Sequence, residues 1–146
     1  MIKTFITNNI EETYALGEKL AKVLPCGSTI LMNGDLGSGK TTLVRGIARG
    51  LHINEVVQSP TFNIMKLYLK GDKHLIHIDA YRLNDINIDI GLEEYIGDEH
   101  SLTMIEWPNF IEKYWPLNPI ILNIEMISDS SRKYSFEIPD ELGDII

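Results

Sequence analysis

An α/β fold, with a mixed parallel and antiparallel sheet flanked by helices in three layers, is predicted by three features of the 146-residue sequence. An apolar run from Ser28 to Asn33 passes through a glycine-rich turn into an amphipathic helix, the pattern of a parallel strand feeding its crossover. Two later pairs of β-rich runs are separated by short polar turns, which implies antiparallel neighbours beside the parallel centre. Length and composition, with 44% hydrophobic and 23% charged residues, fit one globular domain over residues 1–146.

Each element has its own warrant. Asn8 or Asn9 can cap a helix from Ile10 to Leu24, with Tyr14, Leu16, Leu20, Ala21 and Leu24 near helical spacing and Pro25-Cys26-Gly27 ending it. From Lys40 to Leu51, Leu43, Val44, Ile47, Ala48 and Leu51 trace one helix face. Thr61–Leu69 and His74–Ala80 flank Lys70-Gly71-Asp72-Lys73 and read as a hairpin. A helical stretch is expected over Ile90–Ile96, and a short strand over Leu102–Ile105, stopped by Trp107-Pro108. Ile120–Ile127 and Tyr134–Ile138 flank Ser128-Asp129-Ser130-Ser131 and suggest a final hairpin.

Charge and cysteine content narrow the function. The net charge is −8, and it is uneven: residues 1–83 carry 10 basic and 7 acidic side chains, residues 84–146 carry 3 and 14. Phosphate-backbone binding depends on Lys and Arg that displace counterions, so direct RNA or DNA binding is disfavoured. The acids Asp85, Asp89, Glu93, Glu94, Asp98, Glu99 and Glu106 form either a solvated face or a docking surface for a basic partner. A lone Cys26, no secretory signal pattern and no long apolar run lead us to expect a cytoplasmic protein with no membrane association.

The strongest motif is Gly34-Asp35-Leu36-Gly37-Ser38-Gly39-Lys40-Thr41, which matches G-x-x-x-x-G-K-[ST] between a predicted strand and a predicted helix. At average glycine usage, a chance match in a chain of this length is on the order of half a per cent. Glycines let successive N–H groups turn toward one point, and the helix N-terminus adds further donors, so an anion is held there. Lys40 would bridge the β- and γ-phosphates of a nucleotide, and the Thr41 hydroxyl would ligate Mg²⁺. A carboxylate near the metal is also required, and two strand ends offer one: Glu106 after Leu102–Ile105, and Asp79 after Leu75–Ile78. Alternation puts His77, Asp79 and Tyr81 on one face of that second strand and Ile76, Ile78 and Ala80 on the other. Neither an Asn-Lys-x-Asp run that reads guanine nor an arginine-rich kinase lid is present, which favours ATP over GTP.

Taken together, these residues resemble the TsaE family, also called YjeE, of bacterial P-loop ATPases that act in making the threonylcarbamoyladenosine modification of tRNA. The resemblance rests on Gly34–Thr42, Ser59-Pro60-Thr61-Phe62, His77-Ile78-Asp79-Ala80-Tyr81-Arg82-Leu83 and Ile105-Glu106-Trp107-Pro108, in this order and spacing. It implies a P-loop NTPase-like fold and a Mg²⁺-dependent ATPase of low intrinsic activity, with ATP, ADP and Mg²⁺ as ligands. Gly37, Ser38, Gly39, Lys40, Thr41 and Thr42 would hold the phosphates, and Thr41 and Glu106 the metal. Lys40, Asp79 and Glu106 would serve catalysis, Asp79 by assisting the metal or the attacking water. Ser59–Phe62 looks like the family's switch segment, and the backbone near Ile10 together with Arg132, placed in the last turn, resembles positions that contact nucleotide. The partners implied are TsaB and TsaD, which carry the tRNA in place of this chain. Ser38 stands where alanine is common, and Ala80 where a larger apolar residue is frequent; neither change removes a needed charge or donor.

Other residues have simpler readings. Trp107 could anchor the core or lie beside the nucleotide or a partner. His77 fits a hydrogen-bonded structural residue better than a general base. Two rival functions are a nucleotide-gated binding module with incidental hydrolysis and a small P-loop kinase.

Overall fold

The chain alternates strands and helices around one central sheet. A computed structural model describes it except for residues 36, 56, 58–63, 70–72 and 84–90 and the side chain of Arg82. In chain order the elements are β1 (Ile2–Thr7), α1 (Ile10–Val23), β2 (Thr29–Asn33), α2 (Lys40–Gly50), β3 (Met65–Tyr68), β4 (His74–Asp79), β5 (Ser101–Glu106), β6 (Ile120–Met126) and β7 (Arg132–Glu137). Short 3₁₀ turns occupy Tyr81–Leu83, Leu92–Glu94, Pro108–Tyr114 and Asp140–Leu142. The sheet runs β1-β7-β6-β2-β5-β4-β3. Its centre is parallel, β6-β2-β5-β4, and its flanks β1-β7-β6 and β4-β3 are antiparallel.

Both faces of the parallel centre are covered, which is why its strands read as continuous apolar runs. On one face Ile30, Met32, Leu102 and Met104 pack against Leu16, Leu20, Leu43, Val44 and Ile47 of the two α-helices. On the other, Leu31, Ile76, Ile78 and Ile105 meet Leu83, Leu92 and Ile111, so the third layer is built from 3₁₀ turns among the described residues. No described helix is long and apolar enough to cross a membrane.

Local chemistry sets the helix ends. Asn9 is the cap of α1, its side chain accepting from Glu12 N at 2.8 Å while Glu12 Oε1 accepts from Asn8 N at 2.8 Å. At the other end Lys73 Nζ donates to the carbonyls of Ala21 and Leu24, at 3.1 and 2.8 Å, supplying partners for terminal acceptors that the helix cannot satisfy. The two α-helices touch backbone to backbone: a Cβ on Gly17 would lie 2.6 Å from the carbonyl carbon of Gly46 and from Ile47 N.

Several expectations need adjustment. β1 was not anticipated, because its apolar Ile2 and Ile6 face outward at 68% and 58% exposure and give no buried stripe. Of the expected Ile90–Ile96 helix, the described residues 91–96 form no α-helix: they hold the 3₁₀ turn Leu92–Glu94, bounded by Gly91 and Gly97 at φ of 76° and 82°. The hairpin pairing of β3 with β4 is present, while its turn residues 70–72 and residues 61–63 lie outside the described residues. The strand from Leu102 extends through Glu106, after which Trp107 adopts a left-handed φ of 54° and Pro108 opens a 3₁₀ turn. Arg132 is in β7 opposite Met126 rather than in the turn.

The contact between the glycines yields a stability prediction. Gly17→Ala gains about 1 kcal/mol of helix propensity, but the close approach forces the helices apart at an overpacking cost of about 1–3 kcal/mol. With backbone rather than a flexible side chain on the other side, the upper part of that range applies, and urea denaturation should give a net loss of up to about 2 kcal/mol.

Candidate functional site

Residues 34–39 link β2 to α2 above the ends of the parallel strands. Gly37 and Gly39 have φ of 78° and 107°, torsions that L side chains rarely adopt, and Gly39 is the cap residue of α2 with no side-chain cap bond. Ser38 N donates to Asp35 O at 3.0 Å, so the loop folds back on itself. A Cβ at Gly39 would come within 2.8 Å of the Tyr134 hydroxyl, which adds a steric reason for glycine to the torsional one.

A charged cluster lies under this loop. Lys40 opens α2 with its side chain 6% exposed, its Nζ donating to Gly34 O at 2.8 Å and lying 3.7 Å from Glu106 Oε1. Trp107 sets the face of its ring 4.8 Å from the same ammonium, at cation–π distance. The register of β4 and β5 puts Asp79 beside Glu106, and both carboxylates are buried. Asp79 Oδ1 accepts from Tyr81 N at 3.0 Å, and Glu106 Oε2 lies 2.8 Å from Nε2 of His77, a residue with no exposed surface. His77 is thus hydrogen-bonded, as its sequence context suggested.

The loop, the cluster and two distant segments enclose a cavity of 780 Å³. Of the residues named from sequence, Gly37, Gly39, Lys40, Thr41, Thr42, Asp79, Glu106, Ile10 and Arg132 all line it, and Ser38 is buried in the loop. Trp107 lines it as well, in a cluster with Tyr81 and Phe110 at ring separations of 5.1 and 6.0 Å, so it serves both packing and the cavity wall. Ser59–Phe62 and the acidic positions 85 and 89 lie outside the described residues, as does the side chain of Arg82.

Sequence reasoning missed part of the wall. Asn9, Glu11, Thr13, Asp129, Ser130 and Tyr134 line the cavity too. Asn9 and the 128–131 turn were visible as a cap and a turn, but only sheet closure brings them over the loop. Arg132 makes the connection: its Nη1 donates to the carbonyls of Ser128, Asp129 and Ser131, and its Nη2 reaches Gly37 O at 3.5 Å. Burial pushes the Tyr134 phenol above its ordinary pKa, the Arg132 charge opposing the shift, so this wall presents a neutral hydroxyl at neutral pH.

A glycine loop entering a helix, a buried lysine at that helix's first position and carboxylates on the adjoining strands define the P-loop NTPase-like class of α/β fold. The comparisons with known proteins are more specific. The model of the family described as threonylcarbamoyl adenosine biosynthesis protein TsaE matches residues 7–134. The chain is 38% identical over 130 residues to the Bacillus subtilis protein named tRNA threonylcarbamoyladenosine biosynthesis protein TsaE, covering 89% of this chain and 82% of that one. It is 36% identical over 135 residues to the Aquifex aeolicus protein of the same name, covering 91% and 94%. A crystal structure of Bacillus subtilis YdiB superposes with a TM-score of 0.81 at 30% identity, over 97% of this chain and 89% of that one. The chain belongs to the TsaE family.

The geometry at Gly39 gives a second prediction. Gly39→Ala places an L residue at a strained φ and against a buried hydroxyl, and should cost about 1–3 kcal/mol in a chemical denaturation experiment. An unchanged midpoint would mean that the loop relaxes without strain.

Proposed function

We propose that this chain binds ATP and Mg²⁺ in the cavity, hydrolyses ATP slowly, and couples that nucleotide cycle to turnover of a TsaB–TsaD complex in tRNA threonylcarbamoyladenosine modification. One observation carries the reading: the glycine loop, Lys40, Asp79 and Glu106, far apart in sequence, converge on one cavity. The pathway comes from the family and from the names of the relatives.

The residues fit the ligands. Among the described residues no group of three or more His, Cys, Asp or Glu side chains is placed to hold a metal by itself. Mg²⁺ bound through one or two carboxylates, with its other ligands from phosphate and water, needs no such cage. Thr41 and Glu106 would hold it, and when bound it would neutralise charge on the phosphate oxygens. Loop N–H groups from Gly37 to Thr42 bind the phosphates, and Lys40 exchanges its contacts with Gly34 and Glu106 for the β- and γ-phosphates. Asp79, fixed through Oδ1 by Tyr81 N, orients the attacking water. Ile10 and Arg132 lie on the opposite wall, where the rest of the nucleotide would rest.

Arg132 contributes to the shape of the cavity. Its guanidinium donates to four backbone carbonyls and so holds the 128–131 turn against the glycine loop. A net charge of −8 fits tRNA being carried by the partners rather than by this chain.

The test is Mg²⁺-ATP hydrolysis by the purified protein, alone and with the TsaB–TsaD complex. Partner-stimulated hydrolysis is expected, and Lys40→Ala should reduce nucleotide affinity or turnover by about ten- to a hundredfold, the worth of one charge-assisted hydrogen bond. Undiminished binding and hydrolysis in that variant would overturn the reading of the loop. Glu106→Ala should retain nucleotide binding and lose most Mg²⁺-dependent hydrolysis. Negligible hydrolysis under all conditions, with complex formation still dependent on nucleotide, would instead identify a gated binding module.

A further inference from the structure

His77 lies in β4 between Met104 of β5 and Lys66 of β3, and none of its surface reaches solvent. It does not line the cavity, so it is not placed to touch a nucleotide or an attacking water. A buried polar ring costs free energy unless its hydrogen-bonding groups are used. Its Nε2 lies 2.8 Å from Glu106 Oε2, while its Nδ1 is buried without a hydrogen-bond partner among the described residues. A carboxylate accepts and does not donate, so a ring hydrogen sits on Nε2 and is donated to Oε2. The polar capacity of the ring is therefore spent on one atom of one side chain.

The consequence for Glu106 is an asymmetric carboxylate. Oε2 is held by a ring that is packed on all sides, whereas Oε1 lies 3.7 Å from Lys40 Nζ, beyond hydrogen-bonding distance, and Lys40 already donates to Gly34 O at 2.8 Å. We propose that His77 is a positioning residue that locks Oε2 of Glu106 and so presents Oε1 to the cavity for a divalent cation. Without this lock the Glu106 side chain is free to turn Oε1 away from the cavity, so that the cation loses a pre-positioned ligand while the phosphate contacts of the loop and Lys40 remain. The inference rests on the reading of Glu106 as a Mg²⁺ ligand.

The experiment compares wild type with His77→Gln and His77→Asn, two amides that differ by one methylene. The Gln amide nitrogen can occupy the place of the imidazole Nε2, and the Asn amide falls short of Glu106. Isothermal titration with ADP and with the β,γ-imido analogue of ATP, each with and without Mg²⁺, measures how much the metal tightens nucleotide binding. Steady-state hydrolysis gives the Mg²⁺ concentration at half-maximal rate. His77→Asn should lose roughly 10- to 100-fold of the Mg²⁺-dependent gain in affinity, the usual effect of removing the partner that orients a metal ligand. It should raise the Mg²⁺ requirement for hydrolysis in parallel and leave metal-free affinity as in wild type, while His77→Gln recovers most of the loss. A purely structural histidine would lower metal-free and metal-dependent binding alike. That pattern overturns the proposal, as does a folded His77→Asn with the wild-type Mg²⁺ gain, or a His77→Gln no better than Asn. His77→Phe, equally unable to donate, supplies the same contrast with Gln if the buried Asn prevents folding. Absence of any Mg²⁺ gain in wild type would sink the metal reading of Glu106 itself, and is told apart because it shows before any variant is made.

Discussion

The buried ammonium of Lys40 constrains the rest of the site. A cation at the first position of a helix opposes the macrodipole, at a cost of about 0.3–1 kcal/mol, and an uncompensated buried charge costs several kcal/mol more. Burial is therefore the larger problem, and the fold meets it with the Gly34 carbonyl and the Glu106 carboxylate. Each partner imposes a condition. The carbonyl requires the loop to curl back over the lysine, which the left-handed torsions of Gly37 and Gly39 permit. The carboxylate requires β5 to lie beside β2 in a register that sets Glu106 opposite Met32. Such a lysine is poorly placed for the isolated helix and well placed for an anion arriving at the helix start, where the dipole and the ammonium then act with the same sign.

Legibility in the sequence followed the range of the interactions. The loop was plain because all of its determinants lie within eight residues, and the β-rich runs that Asp79 and Glu106 close were enough to put both on strand ends. The two α-helices were visible as apolar stripes with an Asn cap and a glycine-rich entry. What alternation could not give was which strands are neighbours: Asp79 meets Glu106, and His77 reaches Glu106, only through the pairing of β4 with β5. β1 escaped for a different reason. It is an edge strand whose isoleucines point outward, so its place comes from pairing with β7 and not from a buried stripe. The expected helix near Ile96 failed because Leu92 alone anchors that stretch among its described buried residues, while Gly91 and Gly97 take torsions that no α-helix continues through.

The two kinds of strand pairing divide the work of the site. Parallel strands end together on one side of the sheet, so β2, β4 and β5 deliver the loop, Asp79 and Glu106 to a common floor. That floor is open on the side away from Trp107 unless something rises to face it, and the antiparallel extension β6-β7-β1 supplies the wall. Pairing of β7 with both β6 and β1 sets Tyr134 behind Gly39 and puts Arg132 where it ties the 128–131 turn to Gly37. β1 then leads directly into α1, and the Thr7 and Thr13 hydroxyls, 2.7 Å apart, fix that entry under the wall. The residue before the cap of α1 is joined to the same turn through Ser131 Oγ donating to Asn8 Oδ1 at 3.1 Å. Anything that alters the β6–β7 turn therefore acts on the glycine loop through Arg132 and on the start of α1 through Asn8.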